Sequence, residues 1–555
     1  MRDRPILLIF ATLIAVAPIV WLTQFVAGIE QEIPALDQWT LFKFYYAAAT
    51  DTASVSQFFA PHENTHVILV PRLILTGLAL ATNWNLTAES YGTFLLFLIT
   101  LGGLVYLWKE DERRTPLSFF ILITSIYLLC SPVFNLTFLW GGGFFHLLVN
   151  AGAVGSVIFL QAAKKSGQSK WIWLAAGTTA MATFSRLEGY ALWFVLFPII
   201  FLLPGTPKQR KGRLLGWGAG TAASGAILLY SLTALRGESL TAPPSIALDP
   251  ETIPLAAATA LQLVGRPLAV PLDIQFGMTV LQVPLFAFII GLIAIVYFLG
   301  LSYWNLRLTD EAKPAAASAW IALGVFGLCM ADGTAFTRAV LLQKPLAQFV
   351  GIKMYSITTV WVIVAALNLL PKGNEAPLWI RRMGLGFAVL VAGTTLLAFV
   401  QVTETAYANR NVGIVTRHCW ELTHLLDEGN ECFYFLPSQA VQEKFEEVGF
   451  RKVRRDFGFG APLDPEQGRV ERIDHVADEI ILEGWINPER FSGRPSIWIS
   501  TDRGISLSHW ASFTEKTSSQ WRWHAEVPSD SMKPQPQVWL YDESASRLTR
   551  VGGSP

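Results

Sequence analysis

Long apolar stretches separated by short polar connections dominate residues 1–402. The first two are Pro5–Ala27 and the shorter Val67–Thr82. Most of the others are close to the length that a helix needs to cross the hydrocarbon of a bilayer. They lie at about 91–108, 116–132, 143–163, 171–185, 189–204, 214–235, 278–303, 317–331, 354–371 and 383–402. The pattern predicts an all-α polytopic membrane domain of about 11 to 13 helices.

The pattern changes after Gln401, where polar residues become frequent. Residues 403–462 combine an amphipathic stretch with the strand-like sequence ECFYFL, which predicts a small extracytoplasmic α/β element. Residues 463–555 contain short alternating stretches, such as SIWIST and QVWLYD, between turn residues. Such strands are typical of a small β-sandwich. The chain therefore divides into a membrane domain, an α/β element and a β-sandwich.

Clusters of lysine and arginine predict the orientation of the membrane domain. Lys164–Lys170, Pro207–Arg213 and Arg381–Arg382 are cytoplasmic by the positive-inside rule. Twelve full crossings from a cytoplasmic N-terminus would leave the C-terminus inside, against this charge pattern. Treating Val67–Thr82 as a half-helix or hairpin leaves 11 crossings, and everything after Gln401 is then extracytoplasmic.

Composition agrees with a membrane protein. The 555 residues are 52% hydrophobic and only 15% charged, with a mean hydropathy of +0.41, beyond what soluble globular chains carry. A net charge of +0 offers no basic field for nucleic acid, so we expect membrane lipid or small molecules as partners. Cys419 and Cys432 lie in the polar region on the oxidising side, which predicts a disulfide between them.

The polar connection between the first two apolar stretches carries the candidate chemistry. A carboxylate at Asp37 can hold a divalent metal ion or act as a base, but Asp37 fits equally well as the N-cap of the next helix. His62, Glu63 and His66 have the H-E-x-x-H spacing of zinc proteases. That motif needs a helix, whereas here a proline precedes it and an apolar stretch follows, so a polar surface loop is the favoured interpretation.

Several of these residues resemble a known family. Asp37-Gln38-Trp39, Asn64 with His66, Pro71-Arg72-Leu73, Ser131-Pro132 and Leu139-Trp140-Gly141 resemble motifs of bacterial polytopic proteins related to the GT-C glycosyltransferases. The resemblance covers most of the chain loosely. It implies an enzyme of the bacterial inner membrane that moves a sugar from a polyprenyl-phosphate donor to an extracytoplasmic glycan, lipid or protein.

The chain departs from the family pattern at four positions. Thr65 stands where the family has a glutamate, and Val67 stands where it has an arginine. Leu136 and Thr137 stand where it has a Glu-Asn pair. Either the acidic roles fall to Asp37 and Glu63, or this member has changed its substrate or lost activity.

The residues in the polar connections give a set of candidate roles. The catalytic candidates are Asp37, Glu63 and His66, and Asp37 is the candidate ligand of a divalent metal, the one cofactor considered. Arginine near the outer face can pair with a lipid phosphate through two parallel hydrogen bonds. The candidate substrate-binding residues are His62, Arg72, Trp140, Glu188, Arg338 and Lys353. Gly141–Gly143 is predicted to permit a closely packed turn.

Two further classes of function stay open. A transporter or flippase for a lipid or small solute would use the same helices, although transporters typically carry inverted repeats and acids near the bilayer midplane. A catalytically inactive envelope protein is the other alternative. In the β-rich end, Trp residues such as Trp485 and Trp523 either stack on sugar rings or fill a small core, and the core interpretation is favoured.

Overall fold

The computed structural model describes most of the chain, in two compact units. One unit comprises Met1–Ile29 and Thr40–Arg410, and the other comprises Glu30–Trp39 and Asn411–Pro555. The described residues are 5–29, 38–62, 66–110, 115–139, 141–235, 252–276, 282–307, 313–342, 352–370, 377–423, 458–459, 466–476, 479–487, 495–500, 507–516, 520–528, 537–542 and 547–551.

Helices make up most of the described residues. They are α1 (Pro5–Ala27), α2 (Gln38–Ala49), α3 (Val55–Phe59), α4 (Leu69–Thr82), α5 (Leu86–Glu110), α6 (Pro116–Leu129), α7 (Gly142–Ser166), α8 (Ser169–Thr183), α9 (Ala191–Val195), α10 (Phe197–Leu202), α11 (Pro207–Ala234), α12 (Thr252–Phe276), α13 (Gln282–Arg307), α14 (Lys313–Leu342), α15 (Ile352–Thr359), α16 (Trp361–Asn368) and α17 (Leu378–Thr423). Short 3-10 helices cover Pro132–Thr137 and Leu187–Tyr190.

Six helices within the described ranges are long and apolar enough to cross a membrane. They are Leu86–Glu110, Gly142–Ser166, Ile253–Leu272, Leu285–Arg307, Ala317–Thr337 and Leu378–Thr403. Shorter apolar helices are Thr12–Ala27, Leu69–Thr82, Pro116–Leu129, Leu187–Leu202 and Tyr355–Asn368. The prediction of a helical, multi-pass membrane protein is thereby confirmed. The exact number of crossings stays a prediction.

Local sequence signals set several helix ends. The Thr115 side chain accepts a hydrogen bond from the Ser118 amide at the start of α6, where a proline is the first residue of the helix. Thr206 and Gln209 form a capping box at the start of α11. Gly167, with φ of 68°, ends α7 in the left-handed conformation that glycine adopts without strain.

The short apolar stretch after the first loop forms a short helix, as the sequence suggested. Its 14 residues, α4, measure about 21 Å, which is less than the thickness of the bilayer hydrocarbon. Asn83 ends α4 in a left-handed conformation with φ of 51°, and α5 begins three residues later. The two helices therefore form a helical hairpin.

Two glycines permit a very close contact between α12 and α13. A Cβ on Gly265 would lie 1.9 Å from the carbonyl oxygen of Ala287, and one on Gly291 would lie 1.9 Å from that of Leu261. The two backbones therefore touch at this pair of glycines. Small residues permit such an approach between membrane helices.

The second unit contains a small β region, which confirms the β-rich end that the sequence predicts. Its strands are β1 (Gly458–Phe459), β2 (Gly468–Val476), β3 (Glu479–Ile486), β4 (Pro495–Ser500), β5 (Leu507–Lys516), β6 (Trp521–Pro528), β7 (Gln537–Asp542) and β8 (Arg547–Arg550). They form one continuous sheet in the order β1-β8-β7-β4-β5-β6-β3-β2, in which β1 and β8 are parallel and every other neighbouring pair is antiparallel.

Residues from both halves of this sheet share one apolar core, which includes Leu482, Ile497 and Leu540. Trp523 is only 1% exposed within it, and a Cβ on Gly484 would lie 2.4 Å from the Trp523 ring. The core interpretation is therefore confirmed for Trp523. The sandwich arrangement stays a prediction, and most of the predicted α/β element at 403–462 lies outside the described residues.

Candidate functional site

The polar loop before α4 is joined to the connection that follows α8. His62 and His66 pair through their backbones, with N to O distances of 2.6 Å and 3.1 Å. The amide of Val70, at the start of α4, donates to the carbonyl oxygen of Phe184 at 3.0 Å. Arg186 and Glu188 follow directly, so residues about 120 positions apart in the sequence come close together.

The backbone of the two histidines decides against the zinc-protease motif. That motif needs a helix that directs residues i and i+4 to the same metal ion. His62 and His66 instead form an antiparallel bridge, and Glu63 between them lies outside the described residues. The two histidines therefore do not lie on a helix, and His62 is buried rather than exposed at a surface. Across the described part of the chain, no group of three or more His, Cys, Asp or Glu side chains could hold a metal ion.

An ion pair buried among the helices forms the centre of the site. Arg186 Nη2 donates to Glu188 Oε1 at 2.8 Å, and Arg186 Nε donates to Glu188 Oε2 at 3.3 Å. The two side chains are 5% and 4% exposed. Such pairing offsets the high cost of removing each charge from water.

Side chains from three other helices surround this ion pair. From α7, His146 Nδ1 lies 2.7 Å from Arg186 Nη1, which can only donate. From α14, Thr334 Oγ1 donates to Glu188 Oε1 at 3.4 Å. From α15, the Tyr355 ring faces Arg186, with 5.2 Å between the guanidinium carbon and the ring centroid. The site thus combines groups from four separate parts of the chain.

The charges in the site favour an ionised Glu188. This residue lies in the 3-10 helix between α8 and α9, within the shorter apolar segment Leu187–Leu202. Both of its carboxylate oxygens accept hydrogen bonds from Arg186, which favours the charged form. His66 Nδ1 lies 3.8 Å from Glu188 Oε2.

Arg72, near the start of α4, is a second buried cation. The residue is only 1% exposed, and its Nη1 donates to the carbonyl oxygen of Phe58 at 2.9 Å and to that of Ala60. The guanidinium carbon lies 4.3 Å from the centroid of the Phe44 ring, a cation–π contact. Its Nε and Nη2 atoms are buried and have no hydrogen-bond partner among the described residues. This edge of the guanidinium has the geometry that binds an oxyanion through two parallel bonds.

Asn150 of α7 bonds to α15, which carries Tyr355, and to α16. Its Nδ2 donates to the carbonyl oxygen of Ile357 at 3.1 Å, and its Oδ1 accepts a hydrogen bond from Trp361 Nε1 at 3.1 Å. These bonds join α7 to α15 and α16 in the buried interior. Tyr355 is thereby held beside the ion pair.

The site residues predicted from the sequence fall into three groups. His66 and Glu188 come together, His62 pairs with His66 through the backbone, and Arg72 lies near the start of α4. Asp37, Glu63, Trp140 and Cys432 lie outside the described residues, as do the side chains of Arg338, Lys353 and Cys419. Their roles, and the predicted disulfide, stay predictions.

Gly143 has the structural role that the sequence predicts for the turn at Gly141–Gly143. A Cβ on Gly143 would lie 1.6 Å from the carbonyl oxygen of Thr137. Only glycine permits this close approach of the start of α7 to the preceding 3-10 helix.

His146, Thr334 and Asn150 were not predicted from the sequence. Each is a polar residue within a helix that is otherwise mainly apolar. A polar residue in such a helix is itself a signal for function, but it does not identify its partner. Comparisons of the chain with protein-family models, with curated proteins and with solved structures find no match.

Proposed function

We propose that this chain is a membrane glycosyltransferase that moves a sugar from a polyprenyl-phosphate donor to an extracytoplasmic acceptor. The observation that carries the proposal is Arg72, a buried cation with two guanidinium nitrogens that have no hydrogen-bond partner among the described residues. A phosphate would supply the oxygens that these donors lack. The resemblance of the opening loop to GT-C enzymes supports the same substrate class.

The polar site next to α4 supplies groups for the transfer. Ionisable residues inside a membrane bundle are costly and usually mark a functional site. Here they include the Arg186–Glu188 pair and two histidines, His66 and His146. In the proposed reaction Arg72 binds the donor phosphate, and the polar cluster binds the sugar and the acceptor. Asp37 and Glu63 remain candidates for catalysis, and a divalent metal at Asp37 remains an option.

The proposal is tested with the full chain in lipid nanodiscs and a polyprenyl-phosphate hexose whose sugar is radiolabelled. We expect release of polyprenyl phosphate and transfer of label to an envelope extract. Arg72→Met should reduce this transfer at least tenfold through a raised KM for the donor, because one charge-assisted pairing contributes about 1.5–3 kcal/mol. The matched control is Arg382→Met, at an exposed position of α17, and it should transfer normally.

Cells supply an independent readout. Mass spectrometry of envelope glycans, with and without the gene, should show the loss of one sugar substituent, which the wild-type gene restores and the Arg72→Met gene does not. Unchanged glycans together with no transfer in nanodiscs would refute the enzyme and favour an inactive envelope protein.

A transporter is the second candidate, because buried His, Glu and Arg side chains also form proton relays in membrane transporters. The observation in its favour is the continuous chain of contacts from His146 through Arg186 and Glu188 to His66. A transporter would move a fluorescent lipid or a solute across vesicles without breaking any bond. Movement without sugar transfer would therefore select this alternative.

A further inference from the structure

The His66 ring lies beside a carboxylate that is fixed on its other sides. His66 Nδ1 is 3.8 Å from Glu188 Oε2, and the two side chains are 12% and 4% exposed. This distance exceeds a hydrogen bond, although catalytic hydrogen bonds are often long before substrate binds. His66 is thus the more accessible member of the pair.

The surroundings of Glu188 leave it little freedom to act on a substrate itself. Its Oε1 accepts hydrogen bonds from Arg186 and Thr334, and its Oε2 accepts one from Arg186. The backbone of α14 also approaches closely, since a Cβ on Gly333 would lie 2.7 Å from Glu188 Cγ. A carboxylate held in this way can orient a neighbouring imidazole.

We propose that His66 is the general base of the transfer and that Glu188 is a positioning residue, which orients the imidazole and stabilises its protonated form. This inference rests on the proposed function, because it assumes an acceptor with a hydroxyl group. It assigns Glu188 a different role from the substrate binding expected from sequence.

The proposed reaction is a displacement at the anomeric carbon of the sugar. The acceptor oxygen forms a bond to that carbon, and the bond from the carbon to the phosphate oxygen breaks. The electron pair leaves with the polyprenyl phosphate. The acceptor proton moves to the His66 nitrogen that does not face Glu188 and passes afterwards to water.

The titration of His66 depends on the charged and titratable groups around the His66–Glu188 pair. The charged group nearest to His66 in the connection after α8 is Glu188, which is itself paired with Arg186. The neighbour from α14 is the uncharged Thr334; Asp332 on that helix is exposed. From α7, His146 contacts Arg186. On its own loop, His66 pairs with the backbone of His62.

The proposal predicts how the reactivity of His66 depends on pH. Diethyl pyrocarbonate modifies only the unprotonated imidazole, so peptide mass spectrometry across a pH series reports the titration midpoint of each histidine in the folded chain. In Glu188→Gln the His66 midpoint should fall by about one pH unit, because an opposite charge within 4–6 Å favours the protonated form. His524, paired with Glu483 at 3.2 Å in the second unit, is the internal reference and should not change.

A second variant tests the pairing in case Glu188→Gln does not fold. If Glu188→Gln does not fold, Arg186→Met with Glu188→Gln removes both charges together, and the His66 midpoint should still fall, but by less than in the single variant, because the nearer carboxylate is lost while the net charge is unchanged. An unchanged His66 midpoint in a folded variant would overturn the pairing.

Catalysis gives the second readout. With the radiolabelled donor, His66→Gln should lower kcat at least a hundredfold with little change in KM, because general bases typically contribute 10²–10⁴-fold. In Glu188→Gln the acidic limb of the pH–rate profile should shift to lower pH, by the same amount as the His66 midpoint. If Glu188→Gln lowers the rate but leaves the acidic limb of the pH–rate profile at the same pH, Glu188 has only a structural role. If the wild type transfers no sugar, the proposed function fails, while the modification experiment still decides whether Glu188 faces His66.

Discussion

Arg186 and Glu188 compensate each other inside the membrane unit, so each depends on its partner. Arg186→Met leaves an uncompensated carboxylate and Glu188→Leu an uncompensated guanidinium. We expect each single change to cost about 3–5 kcal/mol of stability, as is typical when one partner of a buried ion pair is removed. The double change should cost less than either one. Thermal unfolding in detergent, with retention of a monodisperse peak, measures the cycle; additive losses would mean that the charges are independent.

At the level of single residues, the sequence predicted part of the site. His66 and Glu188 were identified because polar residues between apolar stretches must lie at a membrane surface or in a cavity. Their contact could not be predicted, since it depends on the hydrogen bond from Val70 to Phe184. His146 was missed because one polar residue within a helix gives no indication of its partner.

At the level of helices, the contact between α12 and α13 gives a sharp prediction. Gly265→Ala inserts a methyl group into the space occupied by the Ala287 carbonyl, so the helices must separate. We expect a marked loss of folded protein. The matched control is Gly300→Ala in α13, where nothing lies within 4 Å of the added Cβ and helix propensity should improve stability by about 0.5–1 kcal/mol. Equal yields of the two variants would contradict the close contact.

The contact of α7 with α15 and α16 gives a second prediction. Asn150→Leu leaves both the Trp361 indole and the Ile357 carbonyl group without their bonds, whereas Trp361→Phe removes only one donor. A buried polar group left unsatisfied costs about 1–3 kcal/mol, so Asn150→Leu should be the more destabilising change. Unfolding midpoints of the two variants in one detergent decide this, and the reverse order would contradict it.

Most helix positions were predicted from apolar length, but α12 was not: residues 236–277 were interpreted as an outer loop, and the structure forms the helix Thr252–Phe276 there. Two prolines inside that helix, Pro267 and Pro271, interrupt the apolar pattern.

Helix breaks were not predicted either. The stretch 354–371 was predicted as one element, yet it divides at Val360 into α15 and α16. The break is confined to Val360, whose amide still donates to the Ser356 carbonyl at 3.0 Å. Beside it, Thr358 Oγ1 donates to the Tyr355 carbonyl, and Thr359 Oγ1 donates to the Leu263 carbonyl of α12. The bond to α12 depends on a partner helix that the local sequence does not reveal.

At the level of the whole molecule, the orientation in the membrane is testable. Asp51, in the loop that the charge pattern places outside, and Lys165, in the last turn of α7, should lie on opposite sides of the bilayer. In a cysteine-free background, Asp51→Cys should react with an impermeant reagent in intact cells, and Lys165→Cys should react only after the cells are opened. Both positions are exposed. Labelling of position 165 with protection of position 51 would reverse the topology derived from charge.

The position of each buried cation in the sequence bears on how the chain is made. Arg186 and Glu188 are two residues apart, so they can pair once this segment has been synthesised, before Thr334 and Tyr355 are added. Arg72 has no acid so near in the sequence, and its hydrogen-bond acceptors are the carbonyl groups of Phe58 and Ala60, which precede it. Each cation therefore has its bonding partners in segments made before the later helices pack around it.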